Sequence, residues 1–392
     1  MRFISPLTTT SRVALVALSV CASAAAVADT MNARAFGRGD TGLVLGGFYG
    51  ALDNPALINA SEANDDFGFN LNVGVLAADK DDMLSDAEDV EDGFDDLETM
   101  TASSQTTSDL NASMQAMDQK AVRVEAGAAI LIAIPNKVLP AALVVRNHTR
   151  LAARFDYDDR DEATLAAVGA GAPYDPEAIE SEMRGDGVAI SEAGLTLGRA
   201  FDSETKFGPF QVGATLKLQR INVYEYDMKA SNYDQDDFTD DENMEEHSGF
   251  NVDLGVIKPL GEHYAIAMRI ENLVPQDYEG PSGDKYEMGP QVTVGAAMDR
   301  GWVKAELDVD ANAHEGFGEL EEVQYVKTGL EFDAFRWAQL RVGYRHDMKD
   351  NVEGMATAGI GLSPFGVVNL DIAGMKGSGD SYGALVQLGY RF

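Results

Sequence analysis

Gly37-Arg38-Gly39-Asp40-Thr41-Gly42 is a literal G-x-G-x-x-G, the spacing with which a dinucleotide-binding loop cradles a pyrophosphate. That chemistry needs a strand before the loop and a helix after it. Here the motif follows closely on an N-terminal apolar segment, with no βαβ context, so its glycines read as backbone packed where side chains would not fit. The embedded Arg38-Gly39-Asp40 also spells an adhesion tripeptide, a string common by chance. Asp308-Val309-Asp310-Ala311-Asn312 with Glu319 imitates a calcium loop, but Ala313 stands where that loop needs glycine, and strand alternation already accounts for the acids. The five histidines, His148, His247, His263, His314 and His346, share no ligand spacing, and no serine sits in a nucleophile elbow. No catalytic residue, cofactor or metal-ligand set is expected.

Cysteine usage and charge narrow the field further. Arg2 and Arg12, the apolar run Val13–Ala22 and the small-x-small Ala26-Val27-Ala28 form a secretory signal peptide, so residues 1–28 are expected to be removed before Asp29. Cys21, the single cysteine, lies inside that segment, preceded by Val20 rather than the small residue a lipid-modified cysteine expects. The mature chain then has no thiol, which excludes disulfides, cysteine nucleophiles and cysteine-ligated metals. The sequence carries 30 basic and 65 acidic residues, net −35; without Arg2 and Arg12 the balance is 28 against 65, or −37. A field of that sign repels phosphate backbones and argues against nucleic-acid partners.

The elements that would hold any site are strands. No stretch after residue 29 approaches the ~18 apolar residues of a helical span. Fourteen segments instead alternate apolar and polar residues: 67–77, 122–134, 138–157, 186–201, 206–226, 248–258, 263–273, 289–299, 301–311, 322–332, 335–347, 354–363, 366–376 and 382–392. Most match the ~9–11 residues of a tilted membrane-crossing strand; 138–157 and 206–226 should project beyond the bilayer. Turn-rich joints such as Pro135-Asn136-Lys137, Pro259-Leu260-Gly261-Glu262 and Pro364-Phe365 alternate with long acidic links, of which 80–119 is an external loop with a rough helical stripe. Short turns at one rim and long loops at the other are the asymmetry of a transmembrane antiparallel up-and-down β-barrel. In Trp302–Asp310, Val303, Ala305, Leu307 and Val309 should meet lipid, while Lys304, Glu306, Asp308 and Asp310 should line a wet lumen. Trp302, Trp337, Tyr344, Tyr390 and Phe392 sit near strand ends, as interfacial aromatics do.

The last strand, Tyr382–Phe392, places Tyr382, Ala384, Val386, Leu388, Tyr390 and Phe392 on one face, and its alternation is broken only by Leu385. Tyr390 and Phe392 are similar to the terminal signal with which bacterial outer-membrane proteins present themselves to the barrel assembly machinery. Such a chain would sit among outer-membrane lipid and lipopolysaccharide in a Gram-negative bacterium. Asp234–Glu246 could bridge lipopolysaccharide through divalent ions, but a solvated acidic loop explains it as well.

Ala33-Arg34-Ala35-Phe36-Gly37-Arg38-Gly39, followed by Asn54-Pro55-Ala56, resembles the N-terminal hatch signature of FadL-type outer-membrane transporters. Ile270–Pro275, Leu340–Arg345 and Ala358–Leu362 look like strand motifs of the FadL-related group called conjugal-transfer TraF proteins. The thioredoxin-like TraF of F-type plasmids is a different protein, and nothing here resembles it. The resemblance implies a fourteen-stranded all-β barrel over residues 65–392 and an N-terminal plug over 29–64. Gly37, Gly39, Gly42, Asn54, Pro55 and Ala56 would form its hatch. It implies passive uptake of a small hydrophobic ligand; the alternative is a conjugation-associated or surface-scaffold barrel without transport.

Overall fold

Alternation of apolar and polar side chains along short β-prone runs forces one face of each run toward lipid or core and the other away from it. The chain resolves that demand by closing a sheet on itself. The computed structural model describes residues 32–61, 65–79, 81–99, 102–201, 207–232, 243–334 and 337–392. The signal segment 1–28 and most of the Asp234–Glu246 loop lie outside these residues.

Fourteen antiparallel strands form the barrel: β1 (Gly68–Ala78), β2 (Ala121–Ile134), β3 (Ala141–Asp156), β4 (Glu182–Phe201), β5 (Phe210–Lys229), β6 (Met244–Leu260), β7 (Tyr264–Glu271), β10 (Gln291–Asp299), β11 (Val303–Asp310), β12 (Tyr325–Ala334), β13 (Ala338–Asp347), β14 (Met355–Leu362), β15 (Val368–Lys376) and β16 (Tyr382–Arg391). The remaining two strands, β8 (Gln276–Glu279) and β9 (Lys285–Met288), pair only with each other, as a hairpin inserted between β7 and β10. Closure is made by β1 against β16, from Gly68↔Arg391 to Ala77↔Tyr382. Every sequential neighbour pairs, so the barrel has no free edge. The four strands β3 to β6 are the longest, and β4 and β5 pair along all 20 of their residues, well past the length a bilayer requires.

The outward face is apolar. Leu143 and Val145, Leu216 and Leu218, Leu340 and Val342, and Val386 and Leu388 are all exposed on it, each pair two residues apart. Large aromatics ring the short-turn rim: Phe207 (72% exposed), Trp302 (68%), Trp337 (49%) and Phe365 (84%), together with Phe392 (59%). Amphipathic rings at one level are what a membrane–water boundary selects. The chain end is tied to the same rim, where Phe392 O accepts hydrogen bonds from Asp66 N (2.7 Å) and Phe67 N (3.1 Å).

The opposite rim is roofed by structure that the sequence reading did not foresee in full. Helices α2 (Met83–Thr99), α3 (Ser104–Met117) and α4 (Arg160–Gly169) follow the short helix α1 (Ala33–Phe36) in chain order. Met83, Val90, Phe94 and Leu97 of α2 bury against Leu110, Met114 and Met117 of α3 and Leu165 and Val168 of α4. Asp79 caps α2 by accepting from Met83 N (2.7 Å) and Leu84 N (3.1 Å), and Ser103 and Thr106 form a capping box on α3. The Ser/Thr/Gln-rich run holds Leu110, Met114 and Met117 at helical spacing, a stripe that its polar composition hides. The β8–β9 hairpin turns inward as well, burying Tyr278, Tyr286 and Met288 against Ile221, Val223, Phe317 and Leu320.

Candidate functional site

The charged inward face of the barrel does not meet bulk water. Residues 32–61 thread the lumen, and of the strand carboxylates expected to line a wet channel, Glu306 and Asp308 instead hold this segment; both, like Asp310, are 2% exposed. Burying a carboxylate is costly unless it is paired and hydrogen-bonded. Asp308 accepts from Gly42 N (2.9 Å) and Leu43 N (3.3 Å), and Glu306 accepts from Val44 N (2.6 Å) and Leu45 N (3.3 Å). Backbone amides with no helix or sheet partner thereby find acceptors on the wall.

Two ion-pair clusters grip the segment. In the first, Glu331 of β12 is fully buried and receives Arg34 (2.8 Å) and Arg38 (3.1 Å) from the segment, and Arg341 (2.7 Å) and Lys304 (3.2 Å) from the wall. Arg38 also reaches Glu306 (3.4 Å) and donates to the carbonyls of Thr41 (3.2 Å) and Leu45. In the second cluster, Arg146 meets Glu192, Asp253 (3.3 Å) and Glu271 (3.0 Å), while Lys217 bridges Glu192 and Asp253 at 2.9 Å each. This cluster touches the segment through Arg146 on Leu52 O (3.4 Å) and Arg269 on Asp53 O (3.0 Å). Sequence reasoning noted the inward charges of β11 but not these partners, because a pairing between residues 297 positions apart, such as Arg34 with Glu331, leaves no local trace.

Each glycine of the G-x-G-x-x-G proves to be a spacing residue. A Cβ on Gly37 would meet Gly359 Cα at 3.0 Å, one on Gly42 would meet Asp53 Cγ at 2.9 Å, and one on Gly39 (φ +73°) would meet Tyr344 N at 2.6 Å. The wall reciprocates with hollows. Gly329 and Gly343, paired across β12 and β13, would drive a Cβ into Arg38 and Gly39; Gly198, Gly213 and Gly255, in register across β4, β5 and β6, do the same under Asn54–Ile58. Arg38-Gly39-Asp40 is sequestered, with Arg38 0% exposed.

Asn54 folds its side chain back over the segment, accepting from Ala56 N (3.0 Å) and donating to Leu43 O (2.8 Å); Pro55 then opens a tight 3-10 turn, Pro55–Asn59. Ala56 and Leu57 pack with Leu43 on Ile257 and Ala267, and a larger apolar seat sets Phe48, Leu52 and Ile58 against Ala129, Leu131 and Val144 of β2 and β3. On the opposite side of the lumen, Leu385, the residue that breaks the alternation of the last strand, is buried with Ala33, Phe36, Leu76 and Met375. An apolar residue faces inward there because the plug helix meets it.

The remaining sequence candidates separate. Asp310 bonds to Thr293 (2.9 Å), Tyr325 N (2.9 Å) and His314 (3.2 Å), whereas Glu319 pairs with Arg154 (2.9 Å), so the calcium-like string does not converge. His247 and His263 contact backbone carbonyls at 2.7 and 3.0 Å. Ser282-Gly283-Asp284-Lys285, an S-x-x-K that was not among the sequence candidates, lies at the tip between β8 and β9, where Ser282 N donates to Glu225 (2.5 Å). Tyr390 and Phe392 lie 6.0 Å apart, ring to ring, both exposed at the short-turn rim.

Asp53 gives the segment a pH dependence. Burial pushes its carboxyl up to about 7, with the Asp40 carboxylate adding to the rise and the hydrogen bond from Asn32 (2.7 Å) opposing it. The folded state therefore keeps this proton to higher pH than the unfolded chain, whose ordinary value is 3.8. Stability falls as pH rises from about 4 through about 7 and is flat above. Thermal unfolding in detergent should show a loss between pH 5 and pH 8 that Asp53→Asn reduces, by on the order of 2–4 kcal/mol.

A closed antiparallel barrel with an apolar outer band, an aromatic rim and a lumen occupied by its own N-terminal segment defines a β-barrel of the outer-membrane type. Within that class the chain belongs to the family described as "F plasmid transfer operon, TraF, protein", whose model matches residues 51–310. No curated protein matches it. Among solved structures, it is similar to the "TodX deltaS2S3 mutant monoaromatic hydrocarbon channel" at 10% identity and a TM-score of 0.54, covering 92% of this chain and 99% of that one. It is also similar to the Pseudomonas putida toluene transporter TodX, at 10% identity and a TM-score of 0.50, covering 93% and 98%. At such identity the likeness is one of fold.

Proposed function

We propose that the protein is a passive channel for small hydrophobic molecules in the outer membrane of a Gram-negative bacterium, with residues 29–64 as its hatch. The observation that carries the reading is the pairing of a fourteen-stranded barrel with a lumen segment seated in glycine hollows on the wall, on a fold shared with hydrocarbon channels. Of the residues proposed for the hatch, Gly37, Gly39, Asn54, Pro55 and Ala56 lie against wall glycines or wall backbone, and Gly42 packs on Asp53 within the segment. The ladders around the barrel are continuous, so the described state is closed, and passage requires the segment to shift along the axis. The larger apolar seat, where Phe48, Leu52 and Ile58 meet Leu131 and Val144, is the side on which a hydrophobic molecule would meet least resistance. Insertion would use the assembly machinery through Tyr390 and Phe392, with lipopolysaccharide around the loop-side rim.

The test is uptake of toluene by cells expressing the chain against an empty vector. The expected result is faster uptake, changed several-fold by Asn54→Ala, which frees Leu43 O and Ala56 N. Equal uptake in all three strains would refute the channel.

A second reading, a scaffold for conjugation or surface assembly, is favoured by the polar packing of the lumen and by the three-helix roof. Deleting 80–119 and measuring mating efficiency and co-purifying partners separates the two: loss of both with toluene uptake intact supports the scaffold.

A further inference from the structure

Between the plug and the wall formed by β2, β3, β12 and β13 lies a cavity of about 80 Å³, room for roughly five waters at ~15 Å³ each. Its basic side chains are Arg123, Arg150, Arg269, Lys327 and Arg345; its acidic ones are Asp40 and Glu125. Five positive charges against two negative leave +3 with the histidines neutral, inside a chain whose net charge is −35. Some of this charge is answered from outside the cavity. Arg269 pairs with Glu271 (3.1 Å), and Lys327 feels Asp310. Arg123 pairs with Glu125 (2.9 Å), and Arg150 donates to Tyr286 (2.9 Å).

Arg345 is answered least. Its guanidinium lies 4.7 Å over the Tyr325 ring and 3.9 Å from Asp40, and its Nε has no hydrogen-bond partner. The Tyr325 hydroxyl, in the same cavity, also has none. Two buried donors without acceptors beside an excess of cations describe a site that lacks an anion.

We propose that this cavity is a binding site for a small oxyanion of the phosphate class, and that the bound anion competes with Asp40 for Lys327 and Arg345. Asp40 belongs to the plug and is held there by Lys327 at 2.7 Å. Its backbone is left-handed (φ 66°), a conformation that asparagine shares readily, so Asp40→Asn removes the charge without disturbing the turn. An anion that takes over its partners loosens one of the plug's ties to β12 and β13. Glu271 and Asp310 reduce the surplus to +1, and a phosphate-class anion is favoured because its tetrahedral oxygens offer an acceptor to both Arg345 Nε and the Tyr325 hydroxyl.

The experiment is calorimetric titration of inorganic phosphate into the full chain in detergent at about pH 8, against chloride at matched ionic strength and against acetate, with heat-modifiable gel mobility confirming the folded barrel. Phosphate should bind, Arg345→Gln should weaken it by about tenfold or more, and Asp40→Asn should tighten it several-fold by removing the competitor. Absence of phosphate binding beyond the chloride control overturns the site. Asp40→Asn that leaves affinity unchanged or lowers it overturns the competition, and acetate binding as tightly as phosphate overturns the phosphate-class assignment. None of these readouts depends on hydrocarbon uptake.

Discussion

Replacing Gly343 with valine should expel the N-terminal segment from its seat while leaving the barrel folded. The Cβ of the new residue would fall inside the van der Waals envelope of the Gly39 amide and the Arg38 carbonyl carbon, both backbone atoms. Backbone cannot give way as a flexible side chain does, and overpacking of this kind costs about 1–3 kcal/mol or more. Valine is well suited to a strand interior, and β13 keeps its ladder to both neighbours, so the barrel itself has no reason to fail. The expected outcome is rapid trypsin cleavage at Arg34 and Arg38 in the variant, where the native chain protects Arg38 by complete burial. Gel mobility of the unheated barrel should be unchanged. Valine at Gly374, an exposed position of β15 where a Cβ would meet only Gly383 O at 3.8 Å, is the control for substitution alone.

Glu331→Gln should loosen the same segment from its electrostatic side. Glu331 is the common partner of Arg34, Arg38 and Arg341 and is fully buried, so the amide leaves three guanidiniums without their shared counter-charge. Removing one member of a buried ion cluster costs about 3–5 kcal/mol, more than the pairs contribute relative to an apolar replacement, because the remaining charges stay desolvated. The near-identical shape of glutamine keeps packing out of the comparison. Arg341 keeps Asp371 (2.6 Å) and Arg38 keeps Glu306, but neither carboxylate is an ion-pair partner of Arg34. Protease protection of the segment should fall, and the thermal midpoint in detergent should drop, while Lys349→Gln at the exposed Glu322 pair (2.6 Å) should change neither measurably.

The strands were legible because a barrel wall between lipid and a polar interior imposes period two on every crossing, and that pattern survives in a single sequence. The spans read at 122–134, 366–376 and 382–392 match β2, β15 and β16 to within two residues. What the pattern carries is direction, in or out, and not what lies inside. Glu306 and Asp308 read as lumen-facing, and they are, but whether they meet water or backbone amides depends on a segment some 260 residues away in the chain. Leu385 looked like a flaw in the alternation; it is a contact with α1 that only the threaded segment explains. The glycines of residues 37–42 were readable as close-packing residues, whereas their partners Gly329, Gly343 and Gly359 sit among many strand glycines with nothing local to set them apart. The roof was legible only in part: the helical stripe within 80–119 marks α2, whereas α3 and α4 are built on sparse apolar stripes in segments that composition marks as polar loop.

The central claim is that residues 32–61 are what closes this barrel. Conductance across a planar bilayer, compared between the full chain and a chain lacking those residues, tests it directly. The account predicts little or no current through the full chain and stable openings on the order of tenfold larger once the segment is gone, as expected when a wide barrel loses its filling. Equal conductance in the two, with both barrels confirmed folded, would contradict it.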